Sequence, residues 1–215
     1  MALKGALVWL CSLAVLSSAA AQHETLPDSC TSQMFEVLSQ NLKAAIGCGE
    51  NLPPAMTAEQ TATLLQSMKN LTDSLHKHQL KECCGVEPNK CPAAEVPVNG
   101  GLVCATVDNK RYCKPLCNHG YDFAFLRRSR LYDECSEQTG HKWNSQYVGG
   151  NKLAVCNEAS IQVSGANTAY FPKDQDCLMT KSSSQLQNST IETFTTELKN
   201  GGINGKPEYL CLVCG

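Results

Sequence analysis

Cys91-Pro92, Val96-Pro97-Val98-Asn99-Gly100, Tyr112-Cys113, Cys117-Asn118-His119-Gly120-Tyr121, Cys135, Gly140-His141-Lys142-Trp143 and Cys156 follow one another in the middle of this chain. Turn formers such as Asn99-Gly100 and Gly120 separate short segments with scattered β-formers, the pattern of a short-stranded domain. A stretch of this length cannot bury enough apolar surface by itself. Covalent staples and one large aromatic, Trp143, are therefore expected to hold it.

Outward from that stretch, the rest of the chain sets its compartment. Lys4, the apolar run from Ala6 to Val15 and the small-residue site Ala19-Ala20-Ala21 read as a signal peptide over 1–21, with a mature start at Gln22. The apolar run is too short to span a bilayer. No later segment reads as a span, and Leu212-Val213-Cys214-Gly215 does not read as a lipid-anchor tail. The expectation is a secreted protein with no membrane contact. The chain has 14 cysteines, and loss of Cys11 with the signal leaves thirteen, a density suited to oxidising surroundings. An odd count leaves at least one thiol free or joined to a second chain, so a disulfide-linked homodimer is expected.

The formal net charge of −2 and the lack of a basic tract argue against nucleic acid, and no acidic run suggests bulk calcium or mineral binding. Asn70-Leu71-Thr72 and Asn188-Ser189-Thr190 are acceptor sequences for N-linked glycan, making Asn70 and Asn188 candidate glycosylation sites.

Before the central stretch, residues 22–84 are periodic in the helical sense. Met34, Leu38, Leu42 and Ala45 mark one helix, stopped by Gly47 and Gly49. After Pro53-Pro54, Thr57 caps a second helix with Gln60 as its capping-box partner. Leu64, Met68, Leu71 and Leu75 make one narrow apolar stripe along it, and Asn70 lies off that stripe. The spacing predicts an antiparallel helical hairpin, with a coiled coil between chains as the other arrangement it allows. In the hairpin, Cys30 meets Cys83 or Cys84.

After the central stretch, residues 157–215 read as a small α+β region. Ile161 and Val163 alternate as in a strand, and Lys181 to Ser184 read as a loop. Ile191, Phe194 and Leu198 share a helical face ended by Asn200-Gly201-Gly202, and Tyr209 to Val213 form a final strand.

The order of cysteines and motifs between Cys91 and Cys156 resembles the sushi (complement control protein) module, a small extracellular β domain that binds other proteins and is not an enzyme. The resemblance implies bridges Cys91–Cys135 and Cys117–Cys156, with Trp143 in the core between them. Asn99-Gly100 matches the family's first turn, and Gly120-Tyr121 the start of the strand after the second cysteine. Cys104 and Cys113 are additions to that pattern, predicted to bridge each other across a hairpin. Ala154-Val155 stand where the family usually has a proline before its last cysteine.

Further candidates are read from residue chemistry. Cys211-Leu212-Val213-Cys214 has redox-dithiol spacing, but no helix follows to lower a thiol pKa; a structural bridge from Cys211 to Cys177 is expected, with Cys214 left over. His76 and His78 with Cys83 and Cys84 match no common zinc spacing. His119 and His141 have no positioned Ser or Asp that would make either a base. Arg127, Arg128 and Arg130 are the one concentration of charge, a possible contact for polyanions or a strand edge in solvent.

The expectation is an α+β secreted protein in several parts: a helical hairpin over 22–84, a sushi-like module over 91–156 and a small α+β region over 157–215. Its expected role is non-catalytic binding of an extracellular protein or glycan, including in extracellular matrix, with no cofactor, metal or catalytic residue. A secreted inhibitor or defence protein is the alternative, and a redox protein the remote one.

Overall fold

The computed structural model describes residues 32–84, 90–145 and 150–215. The signal segment and Cys30 lie outside these residues. The chain divides into two units, residues 1–61 and 62–215.

In the first unit, α1 spans Ser32–Gly47 and a short 3-10 turn follows at Gly49–Asn51. Thr57 then starts α2 (Ala58–Cys84), which continues into the second unit. The predicted capping box is present. The Gln60 amide donates to Thr57 Oγ1 at 3.2 Å, and the Thr57 amide donates to Gln60 Oε1 at 2.9 Å. Two donors that a helix start leaves orphaned are thereby satisfied.

The second unit is mixed α+β. Its elements run β1 (Gly100–Val107), β2 (Lys110–Cys117), β3 (Tyr121–Phe123), β4 (Asp133–Cys135), β5 (Cys156–Glu158), α3 (Cys177–Ser182), α4 (Ser184–Asn200) and β6 (Glu208–Cys214). β1 and β2 form a hairpin through Asp108-Asn109, whose φ values of 48° and 58° are those of a two-residue turn matched to strand twist. The main sheet is antiparallel in the order β4-β2-β1-β6, and β3 pairs with β5 in a separate ribbon. The final strand of the C-terminal region is thus an edge of the central segment's sheet, paired to β1 from Gly101↔Cys214 to Thr106↔Glu208.

That sheet is covered on both faces, which explains why β1 is buried along its whole length and reads as continuous apolar chain. On one face Val103, Ala105, Val107, Tyr112, Leu116, Leu212 and Cys214 pack with Cys177 of α3 and with Phe194 and Leu198 of α4. On the other, Leu102, Cys104, Cys113 and Val213 pack with Leu80 and Cys83 of α2, Trp143 and Leu153. Gly100 and Gly101 allow close approach. A Cβ on Gly100 would lie 2.2 Å from the Leu116 carbonyl oxygen, and one on Gly101 2.4 Å from Cys177 Sγ.

Five disulfides tie this unit: Cys83–Cys211, Cys91–Cys135, Cys104–Cys113, Cys117–Cys156 and Cys177–Cys214. Two expected pairings are corrected. Cys83 joins Cys211 rather than Cys30, because the last turn of α2 lies on β6: Gln79 Oε1 accepts from the Cys214 amide at 3.2 Å. Cys177 joins Cys214 rather than Cys211, because successive strand residues alternate between faces. Cys214 therefore faces α3 while Cys211 faces α2. Cys214 is no longer the spare cysteine; Cys48 is free and exposed.

Three local readings also change. Ile161 and Val163 lie in an exposed bend rather than a strand. Of the loop expected over Lys181 to Ser184, only Ser183 is non-helical; Asp176 caps α3 and Ser183 caps α4 through their side chains. The α2 stripe of Leu64, Met68, Leu71 and Leu75, expected as the buried face of a hairpin, is exposed.

Candidate functional site

The basic segment does not present three free charges. Arg127 is buried, with its guanidinium donating to the Leu153 carbonyl at 2.8 Å and to Asp133 Oδ2 at 3.2 Å. It also lies 5.4 Å from the centroid of the Phe123 ring. Arg130 Nε donates to the other Asp133 oxygen at 2.7 Å. Asp133 is fully buried, so two guanidiniums around one carboxylate compensate a charge that would otherwise be costly to bury. Arg128 is the exposed one of the three. Both readings of the run, a polyanion contact and a strand edge in solvent, are thereby corrected: two of its three charges hold β4 in place.

Immediately before Arg127 the chain turns outward. Phe125 and Leu126 are 58% and 71% exposed, between the buried Phe123 and the buried Arg127. The Arg127 amide donates to the Ser164 carbonyl at 2.7 Å, joining this segment to the bend that carries Ile161 and Val163, themselves 68% and 57% exposed. Four large apolar side chains are thus more than half exposed on two segments joined backbone to backbone.

Beneath that joint, Asp122 holds both segments. It accepts from the amides of Phe123, Val163 and Ser164, from Ser164 Oγ at 2.8 Å and from the Tyr170 hydroxyl. Burial alone would raise its pKa, but these donors, Tyr170 foremost, hold the carboxyl below its ordinary value. Burial and then the Asp122 hydrogen bond push the Tyr170 phenol up to about 12. The group is a knot of satisfied bonds that fixes the exposed tip. A cluster with every acceptor used has no spare lone pair positioned for a substrate proton.

A second buried charge lies between sheet and helix. Lys114 Nζ donates to Glu197 at 2.6–2.7 Å and to Thr168 Oγ1 at 3.0 Å. Burial lowers the lysine pKa and the Glu197 carboxylate opposes that shift. The pair ties β2 to α4.

The remaining candidates are structural. Trp143 is 7% exposed and its indole donates to the Pro92 carbonyl at 2.8 Å, between the two ends of the 91–156 segment. The cavity beside it, lined by Leu80, Val96, Leu102 and Arg111 among others, is about 40 Å³. Small-molecule pockets run to roughly 300–1,000 Å³, so this one holds a few waters at most. Cys211 and Cys214 sit in separate bridges and form no dithiol. Cys83 is likewise bridged, which removes it from any zinc set with His76 and His78; His78 faces Glu82 at 3.3 Å. The sulfurs of Cys83, Cys104 and Cys211 lie within 4.8 Å of one another, but each is in a disulfide, so no thiolate is offered to a metal. His119 is exposed and His141 half-buried, in separate turns. Asn70 on α2 and Asn188 on α4 are exposed.

Phe125, Leu126, Ile161 and Val163 are therefore the functional candidates that residue chemistry passed over. The sequence signal of Phe125 and Leu126 was an apolar pair next to arginines, outside any periodic pattern, while the alternation of Ile161 and Val163 reads as a strand.

No family model, curated protein or solved structure matches this chain. Among the described residues no helix is long and apolar enough to cross a membrane. Five disulfides in one unit are of the kind that persists in oxidising compartments.

Proposed function

We propose that this is a secreted, disulfide-stapled glycoprotein that binds another extracellular protein and performs no catalysis, with residues 91–156 as a sushi-like module. The observation that carries the reading is the pair of joined segments bearing the exposed Phe125, Leu126, Ile161 and Val163, fixed to each other through Asp122 and the Arg127 amide. Exposed apolar side chains grouped on a fixed base are what a protein contact needs, because burying them gains hydrophobic free energy and little ordering entropy is lost. The crossed order of Cys91–Cys135 and Cys117–Cys156 and the buried Trp143 support the module. Glycans at Asn70 and Asn188 and an extracellular-matrix setting belong to the same reading.

The test is a comparison of the secreted chain with its Phe125→Ser/Leu126→Ser variant, each immobilised and probed with a secreted-protein fraction. One captured protein, identified by mass spectrometry, should be lost from the variant while the disulfide map stays unchanged. Identical capture by both forms refutes the reading. An inhibitor role would use the same pinned loop, and loss of protease inhibition in that variant would favour it.

Cysteine parity adds a covalent dimer. Thirteen cysteines are expected after signal removal, and ten described ones are in bridges with one another, so an odd number remains and at least one has no partner within the chain. The exposed Cys48 is the linking thiol of this proposal. A dimer band on a non-reducing gel should vanish in Cys48→Ser; its persistence assigns the link elsewhere.

A further inference from the structure

We infer that Cys211, Cys83, Cys104 and Cys113, with Arg111, form a thiol-exchange site that takes up a low-molecular-weight thiol as a mixed disulfide on Cys211. This is independent of the binding role. The antiparallel register sets Cys113, Cys104 and Cys211 side by side on β2, β1 and β6, with Cys104 opposite both of the others. Cys83 comes from α2 above them, and the sulfurs of Cys83, Cys104 and Cys211 lie within 4.8 Å of one another. Two disulfides thus lie side by side. Cys211 is half-buried while Cys83, Cys104 and Cys113 are buried, so an incoming thiolate meets Cys211 first.

The buried Arg111 stabilises the sulfur that leaves, while the exposure of Cys211 sets where attack falls. Its guanidinium lies 3.2 Å from Cys211 Sγ and 3.4 Å from Cys83 Sγ, and it is held there by the carbonyls of Tyr209 at 2.8 Å and Cys83 at 3.0 Å. A disulfide sulfur is a poor acceptor for a buried cation, whereas a thiolate is a charged one. Arginine beside a thiol lowers its pKa, and a thiol of lower pKa leaves faster.

The exchange balances without a net oxidant. The incoming thiolate attacks Cys211 Sγ, the Cys83–Cys211 bond breaks, and Cys83 departs as a thiolate beside Arg111. Cys83 then attacks Cys104 Sγ. The Cys83–Cys104 bond forms, the Cys104–Cys113 bond breaks, and the electron pair leaves on Cys113, which takes a proton from water. Two disulfides and one thiol have become two disulfides and one thiol. The end of α2 is now tied to β1 instead of β6.

The test uses the native full chain and reduced glutathione. Thiols accessible at the start are first blocked with iodoacetamide. The protein is then incubated with glutathione, quenched in acid, labelled with a maleimide and mapped without reduction, with fragmentation separating Cys83 from Cys84. The expected products are glutathione on Cys211, maleimide on Cys113 and a Cys83–Cys104 peptide, appearing together. In the Cys104→Ser/Cys113→Ser variant the maleimide should move to Cys83. Arg111→Lys should slow uptake at Cys211 by roughly threefold or more. First uptake at Cys91–Cys135, Cys117–Cys156 or Cys177–Cys214 overturns the site. Maleimide on Cys83 of the unsubstituted chain, with Cys104–Cys113 intact, overturns the relay. The map of the unsubstituted chain decides the matter even where a variant fails to fold.

Discussion

Removing the Cys83–Cys211 bridge should cost more stability than removing any bridge between neighbouring strands. The two cysteines are 128 residues apart in sequence. The other bridges shorten that path: from Cys83 the chain runs to Cys91, crosses to Cys135, passes through the Cys117–Cys156 bridge to Cys177, and crosses to Cys214 beside Cys211. The loop left to close is about 50 residues, for which the chain-entropy model gives about 4 kcal/mol. Cys104–Cys113, separated by 9 residues, gives about 2.5 kcal/mol by the same relation. The comparison is Cys83→Ser/Cys211→Ser against Cys104→Ser/Cys113→Ser, each unfolded in urea under non-reducing conditions. With a urea slope of about 2 kcal/mol/M, the first variant should lose roughly 2 M in midpoint. A loss under about 0.5 M, or a larger loss in the second variant, refutes the docking of α2 on β6 and the loop argument with it.

Lys114→Met alone should cost about 3 kcal/mol, since it leaves Glu197 facing an apolar neighbour, while Lys114→Met/Glu197→Leu should recover most of that loss; a double-mutant cycle in urea measures the difference, and equal losses would remove the pair from the account. Asp122→Asn should cost about 2–3 kcal/mol at neutral pH by weakening five donors at once. The folded pKa of Asp122 lies below its unfolded value near 3.8, so this contribution is fully present above that value and is lost as pH falls through the lower folded one. The gap between Asp122→Asn and the parent should therefore close below about pH 4 in acid titrations followed by circular dichroism; a gap that stays constant to lower pH contradicts the shift. Gly101→Ala places a Cβ 2.4 Å from Cys177 Sγ and 2.9 Å from the Val213 carbonyl. It should lower stability by about 2 kcal/mol or more, or prevent Cys177–Cys214 from closing, and disulfide mapping of the variant reads both.

Local chemistry was legible where a few neighbouring residues decide the outcome. The Thr57–Gln60 capping box depends on four residues and is present as read. The α4 face of Ile191, Phe194 and Leu198 follows from helical spacing alone and faces the core. The pairing of Arg127 and Arg130 with one buried carboxylate was illegible, since a basic run says nothing about an acid that folds between them. That required Asp133 to enter the sheet as β4, opposite Cys113 on β2. The all-round exposure of α2 from Ala62 to Leu75 was equally hidden. A stripe at helical spacing declares an apolar face and leaves its partner unnamed.

The cysteines show most clearly what was missed and why. Pairing by nearness in sequence assigns Cys211 to the C-terminal region, but nearness carries no information about a strand that returns to the edge of β1 from about a hundred residues away. The strand itself held the answer. Cys211 lies in the segment read as β and Cys214 one residue past its end; continuing that strand by one residue puts their side chains on opposite faces. No single element on one face can serve both. Cys177 on α3 takes the one and Cys83 on α2 takes the other. The same alternation puts Cys104, Cys113 and Cys211 on a common face, so one rule explains both the corrected pairings and the cluster at which thiol exchange is proposed.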